Sequence, residues 1–321
     1  MTPYEQLVVQ LTNQSFRYQH VYRQGGTPYR LTEKESLPYE EQIKAFARMV
    51  EQADCILVGA ASGLSAAGGG DFYYEDNESY RAYFGKFAEK YGFQGAFAGM
   101  MHPWETAEER WGYLATFLNT TLSAPVRQPY VDLDAVIRDK EFFILTTNQD
   151  TQFMKLYPWD KVAEIQGDHR FFQCQHCCTD EVWDATEPVA KMIAGMGEGL
   201  AVPTDLVPRC PHCGGEAFPW VRGYGNFLQG ELYDEQYRKV SDWLGQHAQE
   251  KVLFIELGVG RMTPAFIQEP FWALVSQLPQ ASYVGINNVT QFLPEVIEDR
   301  GIAIRGDIAE VLTDVRAEMG R

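Results

Sequence analysis

Asn148 and Asp150 are the residues whose placement first suggests chemistry. An apolar run, Phe142-Phe143-Ile144-Leu145, gives way at once to Thr146-Thr147-Asn148-Gln149-Asp150, as when a buried strand delivers polar groups to its carboxyl edge. Such residues usually only build strand-end turns. They gain weight here because glycine and asparagine edges of other strands fall on the same rim, where a crevice takes a dinucleotide. A second short strand over 162–165 ends in Gln166-Gly167. An amide has no usable proton affinity between about pH 2 and 12, so Gln166 orients a hydroxyl or water but does not act as a general base. His169 could in principle take that role, but a lone histidine after a strand is more often structural. His102, His176 and His212 have less to recommend them individually.

Cysteines supply the second chemistry. Cys174, Cys177 and Cys178 are followed, after a stretch rich in proline and glycine, by Cys210-Pro211-His212-Cys213. Two pairs of thiolates on tight turns can meet at a tetrahedral zinc and tie down a module too small for its own core. Spacing leaves open whether Cys177 or Cys178 is the ligand, and free or redox thiols are the rival reading. No open fourth position or nearby acid marks the metal as catalytic, so its role is structural.

These residues need a scaffold. Ile43, Phe46, Met49 and Val50 recur at helical spacing, predicting an amphipathic helix over 39–53 that feeds a strand, Cys55-Ile56-Leu57-Val58. That strand runs into Gly59-Ala60-Ala61-Ser62-Gly63-Leu64-Ser65 and then Gly68-Gly69-Gly70-Asp71-Phe72. Only small residues let backbone N–H groups approach a pyrophosphate, although the spacing is not the plain G-x-G-x-x-G and a flexible glycine turn would look similar. The segment 78–119 reads as helical and aromatic, with Tyr80, Tyr83, Phe84, Phe87 and Tyr91 on a core face. A linker over 125–132 and a helix over 133–139 lead into the central strand. A helix over 232–249 precedes the strand Val252–Leu257 and its Gly258-Val259-Gly260 turn. Tyr283-Val284-Gly285-Ile286 with Asn287, and Ala303-Ile304-Arg305-Gly306-Asp307 before a closing helix, repeat the design. Repeated strand, polar edge and helix predict an α/β fold, a Rossmann-like doubly wound parallel sheet with a small inserted zinc-binding domain. The expected division is an N-terminal extension over 1–38 with no assigned role, a nucleotide-binding domain over 39–170 and 225–321, and the zinc module over 171–224.

At 321 residues, 45% apolar, the chain can bury a full core. A net charge of −17 and no concentrated basic face argue against a nucleic-acid partner. No apolar run approaches the ~18 residues of a membrane span, and MTPYEQLVVQLTNQ lacks the features of a secretory signal. Six cysteines fit a metal site in a reducing compartment better than a disulfide framework. The expectation is a soluble, cytoplasmic monomer, since no heptad or apolar edge suggests assembly.

Taken together, these motifs resemble the sirtuin family over nearly the whole chain. Gly63-Leu64-Ser65 with Asp71-Phe72 looks like its first NAD motif, and Thr147-Asn148-Gln149-Asp150 looks like its Q-N-I-D. The cysteine pairs, Gly258 to Gly260, Ile286-Asn287 and Gly306-Asp307 follow in the family's order. Lys90-Tyr91-Gly92-Phe93, Gln166-Gly167-Asp168, Phe172-Gln173-Cys174 and Thr263-Pro264 resemble the macrodomain-linked class M sirtuins of microbes. The resemblance implies that NAD is a substrate held by Gly59, Ala60, Gly63, Ser65, Asp71, Phe72, Asn148, Asp150, Gln166, Gly258, Gly260, Asn287, Asp307 and Ile308. Asn148, Asp150 and Gln166 would be catalytic. Zinc would lie on Cys174, Cys178, Cys210 and Cys213, with Cys177 a neighbour.

Three positions depart from the wider family: Tyr73 stands for an arginine, Thr147 for a glutamine and Gln166 for the catalytic histidine. Deacylating sirtuins need that histidine to deprotonate a ribose hydroxyl, and losing a general base typically costs ~10²–10⁴ in rate. Cleavage of the nicotinamide bond survives the change, so the resemblance implies transfer of ADP-ribose to a protein. The implied target is a lipoyl-bearing carrier of the glycine-cleavage H type, with a macrodomain hydrolase as functional partner. The rival readings are an NAD-dependent deacylase of unusual acyl preference and a non-catalytic NAD or ADP-ribose sensor.

Overall fold

The computed structural model describes residues 1–17, 29–73, 76–223, 226–261, 263–289 and 291–321. The stretch Gly25-Gly26-Thr27-Pro28, whose composition predicts a turn, lies outside them, as does the side chain of Asp71.

Six parallel strands form the main sheet. β1 (Cys55–Ala60) lies at its centre, with β2 (Glu141–Thr146) and β3 (Val162–Glu164) to one side. β7 (Val252–Leu257), β8 (Ser282–Asn287) and β9 (Gly301–Arg305) lie to the other. Every residue of β1 and β7 is buried, which is why their sequences are nearly continuous apolar runs rather than alternating ones. Successive side chains still point to opposite faces. Ile56 and Val58 pack with α2 (Tyr39–Gln52), α5 (Gln128–Ile137) and α9 (Ile308–Glu318). Cys55 and Leu57 pack with α1 (Pro3–Arg17), α7 (Glu231–His247) and α8 (Gln268–Gln277). The sheet is therefore doubly wound. The chain leaves β1 for β2 on one side and returns at β7 on the other, so the topological switch, where ligands bind in such sheets, falls between β1 and β7.

A three-stranded antiparallel sheet, with β4 (Gly167–Cys174) between β5 (Val182–Asp184) and β6 (Ala217–Val221), carries the cysteines. Phe172 of β4 packs with Trp111, Leu114 and Leu118 of α4 (Ala107–Leu122) and with Val189 and Met192 of α6 (Thr186–Met196). α3 (Glu78–Tyr91) and α4 enclose an aromatic cluster of Phe72, Tyr73, Tyr80, Phe84, Phe87, Tyr113 and Phe117. Tyr83 is the exception to the expected core face, being 50% exposed.

One local reading needs correction. The segment taken as a linker over 125–132 is largely helix, because α5 already begins at Gln128. Pro129 sits in its first turn, where the missing N–H has no intrahelical partner to lose and the fixed φ is already helical. The N-terminal extension also holds a helix. Tyr4, Val8 and Leu11 lie on one buried stripe, and the Tyr4 hydroxyl donates to the Phe266 carbonyl at 2.8 Å. Replacing Tyr4 with Ala empties an aromatic site and orphans that carbonyl, so urea unfolding should show a loss of about 3 kcal/mol.

Candidate active site

The strand-end polar groups converge on a cleft of about 260 Å³ at the carboxyl ends of β1 and β2. Its walls include Ser65, Tyr73, Phe117, Asn148, Asp150, Gln166, His169 and Arg222. Asp150 is 5% exposed. One carboxylate oxygen accepts from the Ser65 hydroxyl at 2.5 Å and from the Tyr130 hydroxyl at 2.8 Å. The Asn148 amide donates to the Ala61 carbonyl at 3.0 Å, which leaves its oxygen face for other partners. The loop that carries both residues is strained. Thr151 holds φ at +61°, a costly region for a β-branched residue, and its hydroxyl is tied to the Thr121 carbonyl of α4 at 3.3 Å.

Glycines let the two halves of the sheet close on each other. The Gly63 N–H donates to the Gly258 carbonyl at 3.0 Å, and a Cβ on Gly63 would lie 2.6 Å from the Gly258 Cα. Gly167 is needed for a related reason. Its φ is +87°, and a Cβ there would lie 2.0 Å from the Trp220 carbonyl on β6. That turn sets Gln166 at the cleft. The Gln166 carbonyl accepts from the Gln149 amide at 3.0 Å and from the Arg222 N–H at 2.9 Å, so its position is fixed through its backbone.

His169 is 3% exposed. Its Nδ1 lies 3.0 Å from the Thr121 hydroxyl, and its Nε2 is buried with no hydrogen-bond partner among the described residues. Burial pushes the imidazole down to about 4 against the pull of Asp168 and Asp150. The ring is therefore neutral across the physiological range.

Of the residues marked in the sequence, Ser65, Asn148, Asp150 and Gln166 meet in this cleft. Phe72 lies behind it in the aromatic cluster. Gly59 and Ala60 are inside β1, and Gly59 faces Ile267 and Phe271, which its missing side chain accommodates. Gly258, Gly260 and Asn287 are on the same sheet edge outside the cleft wall. The Asn287 amide donates to the Val259 carbonyl at 3.1 Å. Asp307 caps α9, accepting from Ala309 N–H at 2.8 Å, and Ile308 is in the core. Tyr130, Arg222 and the apolar wall of Phe97, Met100, Met101 and Phe117 were not marked in the sequence. The aromatic ones carry only their aromatic content as a sequence signal, and nothing local ties any of these residues to Asp150.

Comparison with known proteins follows from this geometry. No protein-family model matches the chain. Solved structures align along most of it, two of them as follows. A Sir2 homologue in complex with NAD has a TM-score of 0.54 at 14% identity, covering 90% of this chain and 97% of that one. Sir2Tm bound to a propionylated peptide has a TM-score of 0.52 at 16% identity, covering 87% and 99%. The chain has the sirtuin fold. Among curated relatives, a protein ADP-ribosyltransferase of Staphylococcus aureus is 28% identical over 276 residues, 85% of this chain and 86% of the relative. A probable bifunctional ADP-ribose hydrolase/ADP-ribosyltransferase of Fusarium oxysporum f. sp. cubense is 28% identical over 280 residues. This alignment spans 82% of the chain but 46% of that relative.

On this sirtuin fold the sulfurs of Cys174, Cys178, Cys210 and Cys213 all lie within 4.8 Å of one another. Cys174 and Cys213 are 3.7 Å apart, and Cys178 and Cys210 are 3.6 Å apart. Those separations are too long for disulfides but match the ~3.8 Å edge of a tetrahedron with Zn–S bonds of about 2.3 Å. The donor set fits structural zinc. Cys177 stands apart: its φ of +49° turns the chain, and its Sγ lies 3.9 Å from the Asn226 carbonyl. Cys210→Ser should remove zinc and folded yield together, whereas Cys177→Ser should keep one zinc per chain by metal analysis.

His169 also gives the sirtuin fold an acid-sensitive point. Its folded value of about 4 lies below the unfolded value near 6.5. The unfolded chain thus takes up a proton first, and stability falls as pH drops through that window. Urea unfolding should show the His169 contribution weakening by on the order of 2 kcal/mol between pH 7 and 5, a loss absent in His169→Gln.

Proposed function

We propose that the protein is a sirtuin-type, NAD-dependent protein ADP-ribosyltransferase that releases nicotinamide and modifies a protein. The observation that carries this reading is an amide, Gln166, in the wall of a sirtuin-fold cleft whose Asn148 and Asp150 edge is fully assembled. Breaking the bond to nicotinamide requires a positioned ribose and stabilisation of an oxocarbenium-like centre, which buried Asp150 and the Asn148 amide are set to supply. The deacylation route needs in addition a base at Gln166, and an amide has none. Both curated relatives carry ADP-ribosyltransferase in their names, and this supports the reading. The rest of the NAD would extend past Gly63 and Gly258 toward Asn287 and Asp307, along the switch of the sheet.

The acceptor we favour is a lipoyl-bearing carrier protein, modified in the cytoplasm by a monomeric enzyme. The bifunctional relative, which joins a hydrolase name to a transferase name, supports an ADP-ribose-removing macrodomain as functional partner. Among the described residues no helix is long and apolar enough to cross a membrane. The zinc held by the four cysteines would act on the architecture of β4 to β6, not on the reaction.

Two variants test the proposal. Asn148→Ala should lower nicotinamide release from NAD by about 10²-fold or more, followed by chromatography, while zinc content stays unchanged. Gln166→His should gain measurable release of acyl groups from acyl-lysine peptides. Wild type that binds NAD tightly yet frees no nicotinamide would instead identify a sensor.

A further inference from the structure

We propose that His169 is the proton acceptor for the nucleophile that takes ADP-ribose, so that the base of this cleft lies on β4, three residues beyond Gln166. This rests on the transferase reading above. The hydrogen bonds around the ring assign its tautomer. The Thr121 hydroxyl has one proton, and donates it to the Leu118 carbonyl at 2.8 Å. At 3.0 Å from that hydroxyl, the His169 Nδ1 must therefore carry the hydrogen and donate it. Nε2 is left with a bare lone pair, buried and without a partner among the described residues, on a ring that forms part of the cleft wall beside Phe117. Such a group is expected at a functional site more than elsewhere. In the proposed step that missing hydrogen bond comes from a group that enters the cleft.

The neighbouring carboxylates are already committed. Asp168 is held by the Arg170 guanidinium at 2.6 Å. Asp150 accepts from Ser65 and Tyr130 on one oxygen and from the Gln152 N–H, at 3.3 Å, on the other. His169 Nε2, by contrast, has no hydrogen-bond partner among the described residues.

The step balances without another reagent. The ribose–nicotinamide bond breaks with its electron pair going to the pyridinium nitrogen, and nicotinamide leaves neutral. The nucleophile's O–H or N–H atom bonds to the ribose carbon and gives its proton to Nε2. The imidazolium then returns that proton to water. A weak base is sufficient, because attack on an oxocarbenium-like carbon makes the nucleophile strongly acidic; carboxylates of similar basicity do the same in glycoside hydrolysis.

The test compares wild type, His169→Gln and Thr121→Val with NAD alone in water and with added sodium azide, an anion that has no proton to lose. His169→Gln should release nicotinamide into water about 10²-fold more slowly. Azide should restore release in that variant, with ADP-ribosyl azide as product, which also shows that the variant is folded. Thr121→Val, which frees the tautomer, should fall between the two. Unchanged release from His169→Gln in water, or an equal loss with azide present, overturns the assignment and leaves the transferase reading standing. Wild type that releases no nicotinamide under either condition overturns both.

Discussion

A single buried carboxylate sets the conditions for the rest of the cleft. Asp150 is withdrawn from water, and a charge so placed is tolerated only when hydrogen bonds replace its hydration. Its donors come from three places: Ser65 at the end of the glycine-rich stretch, Tyr130 in the first turns of α5 and Gln152 in its own loop. Satisfying Asp150 therefore fixes the first strand's exit loop, the strand β2 edge and a helix relative to one another. The contact of Gly63 with Gly258 then closes the sheet's switch point beside it. A larger residue at either glycine would push the loops apart and leave Asp150 short of donors.

The sequence carried the parts of this arrangement that are local. The strand pattern, the glycine turns and the order of polar edges are properties of short segments, and they led to a doubly wound sheet. The cysteine quartet was legible, its second member only through the family resemblance. Spacing cannot separate Cys177 from Cys178, whereas the left-handed turn at Cys177 carries its neighbour into the cluster. Tyr130 was hidden because it lies in a stretch with two prolines that reads as linker. The stripe of Tyr4, Val8 and Leu11 was visible in principle, but its meaning depends on α7 and α8, more than two hundred residues away. His169 shows the same limit most clearly. Its role depends on Thr121 and Phe117, side chains of a helix that is distant in sequence.

In the proposed reaction Gln166 and His169 together change what the sirtuin fold is set to do. The first removes proton affinity from the wall position while its backbone still anchors Gln149 and Arg222. The second keeps a neutral imidazole buried between α4 and β4, at a cost in acid stability. The small cysteine-bearing sheet connects these roles, because β4 runs from Gly167 beside Gln166 to Cys174 of the four-cysteine cluster. Zinc on those cysteines would steady Gln166 and His169 near the other end of that strand.

The most direct measurement places both reactions in one vessel. Adenine-labelled NAD, a lipoylated carrier protein and an acyl-lysine peptide are incubated with the wild-type protein. Label on protein and O-acyl-ADP-ribose are then counted from the same sample. The account predicts labelled carrier, free nicotinamide in at least equal amount and no O-acyl-ADP-ribose. Accumulation of O-acyl-ADP-ribose with unlabelled protein would contradict it.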